Sequence, residues 1–377
     1  MNDFFTLDDA CNITTGKLDS NAFVQDGKYP FYTCAENPTT IDSYAYNDDV
    51  ILVAGNNAQG NFHINRFSGK FNAYQRTYIL TIKDGYYLDY ILYSLKLELK
   101  RLKEHAQGSQ TKFLTISILK NIRFKNISYT EQQKIASTLS SLDKKIELNN
   151  QINQKLESMA KTLYDYWFVQ FDFPDADGKP YKSSGGKMVY SEELKREIPE
   201  GWEVKRLGDI SNIIAGGDKP KEFSEKETDN LKVPIYSNGI KNEGLYGFTD
   251  KERIIKPSIT ISARGTIGYC VLRNEPFVPI IRLISVTPNN DGLSVFFYHS
   301  IKNLVFENSG SVQQQLTVPQ ISALNIIFST KMVLEKFEKI TSPIIMKIEN
   351  IKKQNQKLTQ LRDWLLPMLM NGQVGVE

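Results

Sequence analysis

The side chains in this sequence best suited to chemistry are amides and cations gathered in loops. Asn56, Asn57 and Gln59 stand together after an apolar run, and the corresponding place in the second half carries Arg264 and Thr266 beside Gly265. Arg76 and Arg282 also correspond. Two further polar stretches, Ser109, Gln110 and Lys112, then Ser311, Gln313, Gln314 and Gln315, come just after a glycine. Arg and Lys donate to guanine, and Asn and Gln pair with adenine, so these residues at loop tips are suited to reading base edges or gripping phosphate. For any one of them the alternative is an ordinary solvated loop. Their matched placement favours the group over the individual.

Other chemistries find no matching pattern. His63, His105 and His299 are scattered without clustered ligands, so surface or packing roles are expected rather than a metal site or a triad. Cys11, Cys34 and Cys270 are odd in number and lack paired spacing, which argues for reduced core thiols rather than a disulfide framework or a zinc knuckle. Pro174-Asp175 with Asp177-Gly178-Lys179 superficially resembles nuclease carboxylates and a lysine. One residue between the acids cannot place them on two adjacent strands, and the stretch reads as a turn. Asn37-Pro38-Thr39-Thr40 lacks the second proline and the aromatic residue of an adenine methyltransferase motif, and no glycine-rich nucleotide loop follows a strand. No catalytic residue and no metal site is expected.

The elements that must position the loops come in two copies. At 377 residues and 41% hydrophobic content, two domains are the default. The second half replays the first: Leu7, Asp9, Asn12, Ile13 and Gly16 match Leu207, Asp209, Asn212, Ile213 and Gly216, each 200 residues on by subtraction. Pro30-Phe31-Tyr32 matches Pro234-Ile235-Tyr236, Ile51-Leu52-Val53 matches Ile259-Thr260-Ile261, and Gly108-Ser109 with Leu114-Thr115 matches Gly310-Ser311 with Leu316-Thr317. Each half opens with short β-type runs, Val50 to Ala54 and Tyr78 to Ile82, then Ser258 to Ser262 and Leu283 to Thr287, between Gly, Asn and Asp turn signals. A shorter helix is predicted after them, over Leu88 to Lys103 and Leu293 to Phe306.

A long helix ends each half. Thr130 with Gln133 has the capping-box pattern, and a seven-residue grid follows. Ile135, Leu142, Leu156 and Leu163 fill one position, and Leu139, Ile146, Ala160 and Trp167 the other, interrupted by Asn149 and Asn153. In the second half the grid carries Phe337, Ile344, Ile351, Leu358 and Leu365, with Ile348, Asn355 and Leu369. Asn153 and Asn355 correspond, and an Asn in such a seam fixes register, so the two helices are expected to lie aligned on each other. Pro343 is expected to kink the second helix and Pro367 to end it. A duplicated unit fits a pseudo-twofold arrangement with the helices antiparallel. Residues 131–167 as one helix would extend roughly 55 Å at about 1.5 Å per residue, so that helix length would set a gap between two reading domains.

The net charge of +3 and pI near 8.4 are compatible with nucleic acid and decide nothing alone. No apolar run could span a bilayer, and Met1 to Asp9 lacks the order of a signal peptide, so the cytoplasm is the expected compartment.

Several short motifs, in order, resemble a known family. They are Tyr164-Asp165-Tyr166-Trp167-Phe168, Phe171-Asp172-Phe173-Pro174, Ile198-Pro199-Glu200-Gly201-Trp202, Leu207-Gly208-Asp209-Ile210, the Gly310 to Gln313 stretch, and Leu365-Leu366-Pro367 to Asn371-Gly372. The arrangement is similar to the specificity subunit of Type I restriction-modification systems and covers nearly the whole chain. The first half departs from it: Gly108-Ser109-Gln110-Thr111 shifts the Gln, and Ser117 stands where Pro319 does.

The resemblance implies an α+β (mixed α/β) fold with two target-recognition domains in tandem, separated by two long antiparallel helices forming a coiled coil. The domains would be residues 1–129, a central spacer helix 130–168, a connector 169–201, a second target-recognition domain 202–330, and a second spacer helix and tail 331–377. It further implies a non-catalytic chain that reads a split, asymmetric stretch of double-stranded DNA and docks methyltransferase subunits, two by symmetry, with restriction and translocase subunits joining them. S-adenosylmethionine would belong to the methyltransferase, and ATP and Mg to the restriction partner. Tyr164, Tyr166, Trp167 and Phe168, or Trp364 and Leu365, are offered as docking anchors, with burial in their own domains as the alternative. Two other readings stay open: a coiled-coil scaffold that binds no DNA, and a catalytic methyltransferase, which should bind S-adenosylmethionine alone.

Overall fold

The apolar runs of the first half become strands of one sheet. In the computed structural model, which describes residues 3–56, 62–105, 114–304 and 315–375 apart from the side chains of Glu104 and His105, the order is β1 (Phe4–Thr6), α1 (Leu7–Ala10), β2 (Cys11–Thr15), β3 (Tyr29–Tyr32), β4 (Thr39–Ile41), β5 (Tyr46–Ala54), β6 (Ile64–Ala73), β7 (Thr77–Ile82), α2 (Leu88–His105), α3 (Ile116–Lys120) and β8 (Arg123–Lys125). Six of the described strands pair in the order β2-β7-β5-β6-β3-β4, antiparallel except for β3 beside β6. Strand alternation sorts the side chains. Ile51, Val53 and Leu80 pack with Ile91 and Leu95 of α2, while Val50, Leu52 and Ile79 meet Tyr32 and Phe71 on the opposite face.

After α4 (Tyr129–Tyr164) and a π-helical turn over Asp165–Val169, the pattern repeats. The hairpin β9 (Met188–Ser191) and β10 (Arg196–Pro199) comes first. It is followed by β11 (Glu203–Arg206), α5 (Leu207–Ile210), β12 (Ser211–Ala215), β13 (Val233–Tyr236), β14 (Leu245–Thr249), β15 (Ser258–Ser262), β16 (Cys270–Arg273), β17 (Val278–Pro279), β18 (Leu283–Pro288), α6 (Ser294–Lys302), α7 (Val318–Ser322), β19 (Asn325–Phe328) and α8 (Lys331–Met370). The first half's sheet is here divided, into β12-β18-β15-β16 and β14-β13-β17. The ten-residue β6 has become two short strands, β16 and β17, separated by a stretch that includes Pro276, which has no N–H to give a ladder. The registers still match: Phe31 faces Asn72 in one parallel pair, and Ile235 faces Val278 in the other.

The compact units do not follow chain order: one is residues 1–150 with 352–377, the other 151–351. Leu369 and Met370, at the end of α8, are buried in the first unit's core, and Tyr164, Trp167 and Phe168, at the end of α4, in the second's. The segment expected as a connector adds Phe171, Phe173 and Ile198 to that second core. The two helix ends are capped alike. Gly372 (φ 68°) closes α8 with Gln373 N–H donating to Met368 and Gly372 N–H to Leu369. Phe171 (φ 67°) takes the left-handed position after α4, one residue later in the repeat because the π turn inserts a residue.

The long helices pair antiparallel within each unit. In the first, Asp143 accepts from Arg362 at 2.7 Å and Asn149 donates to Asn355 at 2.7 Å; in the second, Asn153 donates to the Ile348 carbonyl at 3.4 Å and Tyr164 stands 6.2 Å from Phe337. Leu142, Ile146, Asn153, Leu156, Leu163, Ile344, Ile348, Asn355, Leu358 and Leu365 are all buried or half-buried.

The helices lie aligned as expected, with Asn355 bonding Asn149 and Asn150, because antiparallel helices do not generally bring repeat-equivalent positions opposite each other. Three expectations are corrected. The capping box of α4 is made by Ser128, whose hydroxyl accepts the Glu131 N–H while the Glu131 carboxylate accepts the Ser128 N–H, and not by Thr130 with Gln133. Pro367 does not end α8, which runs to Met370, so burial of Leu369 and Met370 outweighs the lost backbone bond. Cys34 is half-exposed rather than in the core, although burial pushes the Cys11 and Cys270 thiols up to about 12.

The amino ends of the two shorter helices are held by different residues. Gln132 accepts the Tyr87 N–H at 2.9 Å just before α2, whereas the buried Glu338 accepts the Phe296 N–H of α6 at 2.8 Å and the Ser342 hydroxyl at 3.0 Å. Burial raises the Glu338 carboxyl from 4.5 to about 7. Between those values the folded chain keeps a proton that the unfolded chain releases. Its contribution is therefore full below about pH 4.5 and is lost as pH rises through about 7. Glu338→Gln keeps an acceptor but has no proton to lose. Its urea stability relative to the native protein is expected to climb by up to about 3 kcal/mol from pH 4.5 to 8. A difference that stays level with pH would refute this. His299, whose imidazole burial pushes down to about 4, contributes equally to both proteins and cancels.

Candidate nucleic-acid interface

The candidate loops leave each sheet at a corner tied by backbone hydrogen bonds. In the first unit the Gly55 N–H donates to the Arg76 carbonyl at 2.8 Å, the Leu114 N–H to the Gly55 carbonyl at 3.0 Å, and the Tyr78 hydroxyl to the Leu114 carbonyl at 2.8 Å. The end of β5, the turn before β7 and the segment leading into α3 are thereby brought together. In the second unit the Ala263 N–H donates to the Arg282 carbonyl at 2.9 Å and the Leu316 N–H to the Ala263 carbonyl at 2.9 Å, the same two backbone bonds, with Ile284 at the place of Tyr78 and so no hydroxyl bond. Beside each corner a glycine lets two backbones approach closely: a Cβ on Gly16 would lie 2.1 Å from the Ala73 carbonyl oxygen, and one on Gly216 2.1 Å from that of Ile280.

The candidate residues distribute over these corners. Asn56 is half-buried at the first, with the Arg76 side chain exposed beside it. At the second, Arg264 is half-buried, and Thr266, Arg282 and Gln315 are exposed, Gln315 immediately preceding the anchored Leu316. Arg282 has φ 71°, a left-handed conformation that costs a residue with a Cβ about 1–3 kcal/mol, and Arg76 does not share it. The two arginines thus leave equivalent corners along different backbone paths. Asn57, Gln59, Ser109, Gln110, Lys112, Ser311, Gln313 and Gln314 lie outside the described residues.

One contributor escaped the sequence reading. Asn238 donates its amide N–H to the Arg264 carbonyl at 2.8 Å and accepts from the Ser262 hydroxyl at 3.2 Å, holding the loop that carries Arg264 and Thr266. The equivalent Cys34 reaches the Arg76 carbonyl at 3.6 Å. Cys and Asn share no chemistry that a sequence scan would match; the Ser237-Asn238-Gly239 turn signal was the available clue.

The other chemistries are accounted for locally. The Asp175 carboxylate accepts the Asp177 and Lys179 N–H groups at 2.9 and 2.8 Å, closing a turn. His299 is buried and stacks on Tyr164 at 5.4 Å. Among the described residues no three His, Cys, Asp or Glu side chains converge where they could hold a metal ion, and no helix is long and apolar enough to cross a membrane. Of the offered anchors, Tyr164, Trp167 and Phe168 are buried in their own unit and Leu365 is half-buried, while Tyr166 and Trp364 are 39% and 59% exposed. Each unit also has a cleft at the same place in the repeat. One of 320 Å³ lies between α2, β8 and the end of α8, and one of 680 Å³ between α6, β19 and the end of α4.

A tandem mixed α/β fold carrying two matched corners defines a duplicated two-unit protein. Residues 2–158 and 199–360 match the family model described as the Type I restriction modification DNA specificity domain. The chain belongs to this family, the specificity subunits of type I restriction-modification systems, whose work is recognition of a DNA target. It is similar to the MjaIX specificity subunit of Methanocaldococcus jannaschii, 29% identical over 320 residues, 78% of this chain and 71% of that one. The EcoDI specificity subunit of Escherichia coli is 30% identical over 233 residues, 58% of this chain and 50% of that one. The crystal structure of an S subunit from M. genitalium superposes with a TM-score of 0.64 at 22% identity, covering 97% of this chain and 95% of that one, which shows a shared fold.

Proposed function

We propose that this chain, itself non-catalytic, reads an asymmetric, interrupted duplex target for a methyltransferase complex, one part with each unit. The observation that carries the reading is the identical backbone construction of the two corners beneath unlike side chains: Asn56 and Arg76 on one, Arg264, Thr266 and Arg282 on the other. Matched backbone bonds anchor both corners, while different donors, leaving along different backbone paths, select different bases. Asn57, Gln59, Ser109, Gln110 and Lys112 in the first unit, with Ser311, Gln313, Gln314 and Gln315 in the second, complete the proposed contact set. The repeat-matched clefts, with the exposed Tyr166 and Trp364, support docking of two methyltransferase subunits. S-adenosylmethionine is assigned to those partners, and ATP and Mg to a restriction subunit.

Electrophoretic binding with the purified methyltransferase subunit tests this. The assembled complex is expected to retard a duplex bearing both parts of the target. Arg76→Ala should cost about tenfold in preference at one position of the first part, and Arg264→Ala about tenfold in the second. Assembly without any duplex binding would favour the scaffold reading instead.

A further inference from the structure

Equivalent places in the two units hold different chemistry around the strand that follows the reading loop. In the first unit Phe67 on β6 stands 5.5 Å from Tyr32 on β3. The matched strand registers, Phe67 opposite Val50 and Arg273 opposite Ser258, put Arg273 and Tyr236 at the same places in the second unit, where the guanidinium lies 3.6 Å over the tyrosine ring. Arg273 is only 6% exposed. Its Nε donates to Thr260 Oγ1 at 3.3 Å, one Nη to the Glu243 carboxylate at 3.4 Å, and the other Nη to the Glu243 backbone carbonyl. Burying a guanidinium carries a desolvation penalty that the first unit's phenyl ring avoids, so its presence is to be explained by what it holds.

It holds the connection between β13 and β14. In that connection Asn242, Glu243 and Gly244 have φ of 50°, 53° and 83°, three consecutive left-handed residues of which two carry a Cβ. Such a turn persists only where its surroundings impose it. The first unit's counterpart, residues 33–38 between β3 and β4, is shorter and has no positive φ. The second unit's tip is also fastened to the reading loop, by Asn238 donating to the Arg264 carbonyl at 2.8 Å. Beyond that fastening the side chains of Lys241 and Asn242 are exposed.

We propose that this tip, residues 237–244, is a further specificity element peculiar to the second unit. Asn242 reads a base edge and Lys241 grips phosphate beside Arg264 and Thr266, while Arg273 and Asn238 act as positioning residues. The inference rests on the corner being the DNA interface. An amide suits adenine and a lysine suits the phosphate backbone, and both occupy a clamped turn tied through Asn238 to the loop that carries Arg264 and Thr266.

The test uses the full chain assembled with its methyltransferase partner. The probes are a duplex carrying the motif mapped from the native system's methylated sites, duplexes altered at single base pairs of its second part, and a duplex of unrelated sequence. Asn242→Ala is expected to lose about tenfold of discrimination at one base pair of the second part. Lys241→Ala should weaken binding to mapped and unrelated duplexes alike and lower the salt slope by roughly one. Arg273→Phe reinstates the first unit's ring pair. It should show the same loss of discrimination as Asn242→Ala while the thermal melting of the unit stays near that of the native protein. Should Arg273→Phe fail to fold, the two exposed-residue variants decide the matter. Native discrimination and salt slope in both, with Arg264→Ala impaired, would overturn the proposal and leave the corner reading standing. Indifference of Arg264→Ala as well would remove the corner reading and the tip with it. Weakened partner assembly, with native base preference in the complex that does form, would assign the tip to a protein contact, also overturning the proposal.

Discussion

Phe337→Ala is expected to lower the unfolding free energy of the second unit by about 3–5 kcal/mol. The side chain is fully buried, and its ring centroid lies 5.0 Å from that of Phe168, 5.8 Å from Trp167 and 6.2 Å from Tyr164. One ring on α8 therefore joins the carboxyl end of α4 to the core that holds the second candidate corner. Truncation removes the transfer term and leaves a cavity bounded by three rigid rings, which have little freedom to collapse into it. With domain stabilities of about 5–15 kcal/mol, this is a large fraction of the total. Trp167 and Trp202 are both buried in this unit, so their fluorescence in a urea titration reports its unfolding. Phe337→Leu, which keeps most of the volume, should cost under about 1.5 kcal/mol. Equal transitions for Phe337→Ala and the native protein would show that the helix pair is not integral to the unit.

The seam was legible because its signal is periodic. Leu142, Ile146, Leu156 and Leu163 recur on a grid that only paired helices use, and the duplication displayed the same grid at Ile344, Ile348, Leu358 and Leu365. What the grid cannot encode is the axial offset of two antiparallel helices, so the Asn149–Asn355 bond was not foreseeable from the correspondence of Asn153 with Asn355. Pro367 misled for a related reason: proline's local preference is visible in sequence, whereas the tertiary burial of Leu369 and Met370 that carries the helix past it is not. The core role of Phe171 and Phe173 was hidden by the Asp-Gly-Lys-Pro and Gly-Gly signals that follow them, which read as a loop.

The candidate site was legible in part. Arg76 and Arg282 stood out because the repeat aligns them, and the corners they occupy are built from main-chain bonds that any residue types could make. Asn238 and Arg273 were not visible for the opposite reason: they replace Cys34 and Phe67 in the repeat, so self-comparison marks them as differences without saying that each has a partner. Their meaning depends on which backbone carbonyls lie within reach, namely those of Arg264 and Glu243.

A chimaera in which residues 1–125 are exchanged for the matching segment of another specificity subunit should keep one part of its methylated motif and replace the other completely. The first corner, with Asn56, Arg76 and Leu114, lies wholly within the exchanged segment, and the second, with Ala263, Arg282 and Leu316, wholly outside it. The exchange leaves α4 and α8 intact, although Leu369 and Met370 must repack against the incoming core, so assembly with the methyltransferase is confirmed first. The decisive measurement is genome-wide mapping of methylated positions with the native chain and with the chimaera. One part altered and the other unchanged is the result expected of two independent reading corners. Both parts altered, or neither, would contradict it.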